Sequence, residues 1–128
     1  MVALSKETSA VYLLDDDPSI LKATRRLLDS VGWKVGAFSD PIAFLEHAAI
    51  HCPELAVIDM VMPDMNGLEV QTRLRSLSPS TRVIVLTGRD DPLVRRKAMN
   101  AGAAAVFIKG LESDEFLAGV KAAADPIN

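Results

Sequence analysis

Five short apolar runs divide this chain: 10–14, 33–38, 55–58, 83–86 and 104–108. None shows the strict polar–apolar alternation of a strand that is wet on one face. A strand that is apolar on both faces must be covered on both. That condition is met by a parallel sheet with helices above and below it. The segments between the runs have helical character. Asp17-Pro18, Asp40-Pro41 and Asp91-Pro92 each open one, because aspartate caps free N–H groups and proline is tolerated in a first helical turn. Gly32, Cys52-Pro53 and Gly102 end three of them. A further helix spans 68–77, and another runs from a Ser113 cap to about Ala124.

In the first helix Ile20, Thr24, Leu27, Leu28 and Val31 fall on one face, which should turn inward. Ile42, Leu45, Ala48 and Ala49 do the same in the second, and Leu68, Leu74 and Leu77 should be partly inward in the third. Five strands alternating with five helices, joined by right-handed crossovers, make an α/β fold with a doubly wound parallel sheet. The 128 residues suffice for one domain, with residues 1–9 a polar, flexible N-terminal segment. A net charge of −3 without a basic run argues against nucleic acid as a partner. Cys52, the sole cysteine, has no internal partner and fits a reducing cytoplasm. No run of residues is long and apolar enough to span a membrane.

Parallel strands present their C-terminal ends along one edge, where open α/β sheets place their ligands. The polar residues there are Asp15-Asp16, Asp59, Thr87 and Lys109. Clustered carboxylates repel: two unit charges 4 Å apart interact by about 4 kcal/mol at an effective dielectric near 20. A hard cation with oxygen ligands, Mg²⁺ above all, would relieve that repulsion. Carboxylate, cation, ammonium and hydroxyl are the parts that hold a phosphoryl group in transfer. Asp59 stands alone at the end of the third run and is the expected nucleophile.

These residues resemble the receiver domain of bacterial two-component response regulators. The acidic pair Asp15-Asp16, the stretch from Asp59 to Gly67, Thr87-Gly88 and Lys109 match that family in identity, order and spacing, from Val11 to about Ala124. The resemblance implies a flavodoxin-like five-stranded sheet in the order 2-1-3-4-5. It implies that Asp59 accepts a phosphoryl group from a phosphohistidine of a sensor histidine kinase or histidine phosphotransfer protein. It also implies Mg²⁺ held by Asp16, Asp59 and the Val61 backbone carbonyl, with Asp15 acting through water. Thr87 and Lys109 would meet the phosphoryl oxygens, and a homodimer could follow phosphorylation. Two positions depart from the family pattern. Val106 stands where receivers carry an aromatic, with Phe107 one place later on the opposite strand face, and Gly110 follows the lysine in place of a cis proline.

Two other readings compete. Asp15-Asp-Asp17 also resembles the D-x-D opening of haloacid-dehalogenase-type phosphatases, with Asp15 as nucleophile and Asp17 as acid, although Pro18 replaces the usual glycine. A receiver-like module that signals without phosphate is the third class: the intact five-residue site argues against it, while Val106 and Gly110 keep it open. Elsewhere simpler readings hold. Asp17 caps a helix, Asp64 and Asn66 shape a turn, and Met60, Met62 and Met65 pack a loop. His47 and His51 form a surface pair, Trp33 is partly buried, and Arg95, Arg96 and Lys97 form a solvated face.

Overall fold

The computed structural model describes residues 10–62 and 65–124. The expected flexible segment 1–9 and the turn residue Asp64 lie outside them. In chain order the elements are β1 (Ala10–Leu14), α1 (Pro18–Asp29), β2 (Lys34–Phe38), α2 (Pro41–His51), β3 (Leu55–Asp59), α3 (Gly67–Leu77), β4 (Arg82–Thr87), α4 (Pro92–Asn100), β5 (Ala105–Ile108) and α5 (Ser113–Ala124). The strands pair in parallel in the order β2-β1-β3-β4-β5. The flavodoxin-like α/β fold expected from the sequence is therefore present.

Each face of the sheet has its own core. Leu14, Ile58, Val85 and Val106 pack with Phe44, Leu45, Val70, Leu74 and Ala98 of α2, α3 and α4. Val11, Val57, Ile84 and Leu86 pack with Leu28, Phe116 and Val120 of α1 and α5. Successive strand residues point to opposite faces, so Val106 enters the first core while Phe107 packs against the second. A Cβ at Gly119 would overlap the Phe107 ring, so that glycine makes room for it.

The three Asp-Pro starts behave as expected. Asp17 accepts from Ser19 N–H, Asp40 from Ile42 and Ala43 N–H, and Asp91 from Leu93 N–H. Other expectations are corrected. Ser113 is already helical, and Phe116 N–H donates to Glu112 O at 2.9 Å, which puts Glu112 in the cap position. Asn66 caps α3 through Glu69 N–H at 2.9 Å. Val31 and Ile42 are exposed rather than inward, at 53% and 46%, Ala49 is exposed as well, and Leu77, expected partly inward, is 45% exposed. Phe44, Val70 and Gln71 take the buried places.

At the N-terminal edge of the sheet, buried hydroxyls tie the connections together. Ser78 Oγ and Thr81 Oγ1 lie 2.6 Å apart, and Thr81 Oγ1 donates to Pro53 O at 2.6 Å. On the helical layer, Gln71 Nε2 donates to Ala98 O at 2.8 Å and joins α3 to α4.

Candidate functional site

The opposite edge of the sheet gathers the residues singled out from the sequence. Asp15 follows β1, Asp59 ends β3, Thr87 ends β4 and Lys109 follows β5. Because β1, β3, β4 and β5 are adjacent and parallel, these four ends lie side by side. Backbone bonds hold them there: Asp15 N–H donates to Phe38 O, Met60 N–H to Leu86 O and Lys109 N–H to Thr87 O.

Asp15 and Asp59 are buried, at 3% and 2% exposure, and Asp16 is exposed. Carboxylate oxygens of all three lie within 4.8 Å of one another. Lys109 Nζ sits 3.1 Å from Asp59 Oδ1 and 3.2 Å from Asp15 Oδ2. The contact with Asp15 Oδ2 is an ion pair and not a hydrogen bond. That oxygen and Asp59 Oδ2 are both buried without a hydrogen-bond partner. Asp15 Oδ1 accepts from Asp17 N–H at 3.0 Å, and Asp59 Oδ1 accepts from Val61 N–H at 3.3 Å. Two orphaned carboxylate oxygens beside a third carboxylate form a hard, anionic donor set, which suits a small divalent cation.

Charge and burial act against each other here. Burial raises the Asp59 pKa most, Lys109 lowers it by hydrogen bonding and Asp15 raises it again, leaving it near 6 (about 6, from 3.8). Burial alone would lower the Lys109 amine, but Asp59 and then Asp15 outweigh that effect, and its pKa is raised. One ammonium is thus shared between two carboxylates and does not fully compensate the burial of Asp59.

Thr87 is buried at the same edge, but its hydroxyl turns to its own loop. Oγ1 donates to Arg89 O at 3.2 Å. The Val61 side chain is 71% exposed. Gly110 follows Lys109 with φ +91°, a conformation that glycine adopts freely and other residues rarely do. No peptide bond among the described residues is cis. Gly67 lies tightly against the site: a Cβ there would come 2.6 Å from Asp59 O and 2.7 Å from Met60 Cα.

Residues 11–121 match the family of the response regulator receiver domain. The chain belongs to that family. It is 34% identical over 120 residues to the response regulator protein TodT of Pseudomonas putida, covering 94% of this chain and 53% of that protein. The chain thus spans about half the length of the curated relatives it matches. Its fold superposes with a TM-score of 0.86 on a CheY-like receiver domain from Methanospirillum hungatei, at 27% identity, covering 91% of this chain and 94% of that one. A receiver domain of DrrB described as BeF3-activated superposes with a TM-score of 0.81 at 29% identity, covering 89% and 95%.

The receiver's remaining polar residues keep to structural places. Asp17 is exposed and caps α1, which leaves the phosphatase reading without its acid. His47 and His51 are exposed and stacked, with ring centroids 6.3 Å apart. Met60 and Met62 are buried in the core. Trp33 packs, half-buried, against the second core. Arg95, Arg96 and Lys97 are exposed as expected, and Arg95 in addition bridges two other parts of the chain. Its guanidinium donates to Val106 O at 3.2 Å and to Asp90 Oδ1 at 3.3 Å. The sequence carries no local signal for this bridge, because its ends come from a helix, a loop and a strand. Among the described residues, no helix is long and apolar enough to cross a membrane.

Proposed function

We propose that Asp59 of this receiver accepts a phosphoryl group from a phosphohistidine. The observation that carries this reading is a buried carboxylate that ends the central strand, held by Lys109, with one oxygen unpartnered. Asp59 Oδ attacks phosphorus, the P–N bond breaks and the imidazole leaves as the neutral base after taking a proton. The product is an acyl phosphate on Asp59. Lys109, already between Asp15 and Asp59, pairs with the phosphoryl oxygens as charge moves onto them. The Thr87 hydroxyl exchanges its bond to Arg89 O for one to a phosphoryl oxygen.

Asp15, Asp16, Asp59 and the Val61 backbone carbonyl would hold Mg²⁺, Asp15 largely through water. The orphaned oxygens of Asp15 and Asp59 support this assignment. When bound, Mg²⁺ supplies positive charge that offsets the carboxylates and the incoming phosphoryl oxygens.

The donor is a sensor histidine kinase or a histidine phosphotransfer protein, and a second copy of the domain is a further partner once phosphorylated. Residues 1–128 form one cytoplasmic receiver unit that signals by a phosphorylation-dependent change of conformation. Its own chemistry is confined to slow self-phosphorylation and self-dephosphorylation.

Incubation with acetyl phosphate and Mg²⁺ tests the assignment by intact-protein mass. One phosphoryl group should be gained by the wild type and none by Asp59→Asn. Labelling that persists in Asp59→Asn and vanishes in Asp15→Asn would instead identify Asp15 as the nucleophile.

A further inference from the structure

The bridge made by Arg95 joins parts of the molecule that phosphorylation must treat differently. Nη1 donates to the Val106 carbonyl, and β5 is fixed in the sheet by its pairing with β4. Nη2 donates to Asp90 Oδ1, in the loop between Thr87 and α4. That loop also carries Arg89, whose carbonyl now accepts the Thr87 hydroxyl at 3.2 Å. A hydroxyl proton has one good acceptor at a time. If Thr87 donates to a phosphoryl group on Asp59, it must release Arg89 O, and the loop keeps only the longer bond from Arg89 N–H to Thr87 Oγ1, at 3.4 Å. Asp90 would then move relative to β5, while Arg95 reaches to both.

We propose that Arg95 is a positioning residue that latches the loop between β4 and α4 to β5 in the unphosphorylated receiver and opposes the move to the phosphorylated state. The inference rests on Asp59 being the acceptor. Both ends of the ion pair are solvent-accessible, with side-chain exposures of 45% for Arg95 and 66% for Asp90. The latch is therefore weak, on the scale of an exposed ion pair. A weak latch suits a device that has to open.

The test is binding of beryllofluoride, a phosphoryl mimic, in saturating Mg²⁺, compared with binding of Mg²⁺ alone. Arg95→Ala should bind beryllofluoride roughly two- to five-fold more tightly than the wild type, a factor set by one exposed ion pair. Its Mg²⁺ affinity should not change, whereas general loosening of the fold would alter both. The sign is informative, because removing a cation would by itself weaken binding of an anion. Asp90→Asn should give a gain in the same direction, and the double variant little more than either single one. Arg96→Ala removes the same charge from an exposed position of the same helix and should match the wild type. Equal or weaker binding by Arg95→Ala, or an equal gain in Arg96→Ala, would overturn the latch. A wild type that binds Mg²⁺ but no beryllofluoride would overturn the reading of Asp59 as acceptor, and the latch with it.

Discussion

Asp59, the proposed acceptor, is a carboxylate whose burial costs stability. Its pKa is raised by burial from 3.8 to about 6. An acid raised in the folded state favours folding below its unfolded pKa, and that advantage is lost as pH rises through the folded value. The window for Asp59 thus runs from about pH 4 to a little above 6. Without Mg²⁺, Asp59→Asn should be more stable than the wild type above about pH 7, by about 2–3 kcal/mol if the whole shift is expressed. The difference should shrink between about pH 6 and pH 4. Urea unfolding at several pH values measures it, and a gap that widens toward acid would contradict the assignment. Asp15, Asp59, Thr87 and Lys109 were legible in the sequence because each directly follows an apolar run, and Asp16 because it is paired with Asp15. The direction of the Thr87 hydroxyl was not legible. It depends on the Arg89 carbonyl, and so on a loop conformation that no residue type dictates.

At the scale of elements, α3 begins hard against the end of β3. Gly67→Ala would bring a Cβ to 2.6 Å from Asp59 O, where something must shift. The cost should be about 1–3 kcal/mol, as for other overpacked sites. Gly88→Ala meets open space and should stay within about 0.5 kcal/mol of the wild type. Denaturant midpoints of the two variants decide this, and equal midpoints would mean that α3 yields freely. The starts of α1, α2 and α4 were legible because an aspartate cap is a local device. The inward faces were only partly so. Leu28, Leu45 and Leu74 turn in as expected, but Leu77 faces water while Gln71 is buried to reach Ala98 O. Which side of a helix is covered depends on where its neighbours lie, and periodicity alone does not specify that. Arg95 is solvated as expected, but its bonds to a loop and another strand were not legible for the same reason.

For the whole molecule, the acidic edge is a candidate cation site that is assembled only when the sheet is formed. A cation that binds the native state and not the unfolded chain raises stability by mass action. At ten times its dissociation constant Mg²⁺ should raise the unfolding midpoint by about 3–6 °C. Asp16→Asn should blunt the rise, and a midpoint indifferent to Mg²⁺ would mean that the three carboxylates do not act together. The far edge of the sheet is built differently, with Ser78, Thr81 and the Pro53 carbonyl bonded to one another out of contact with water. Those groups have no slack: moving any of them strands a buried hydroxyl or carbonyl. Displacement started at Asp59 therefore meets a floor that does not give, and has to escape sideways, through the first turns of the helices that rise from the acidic edge.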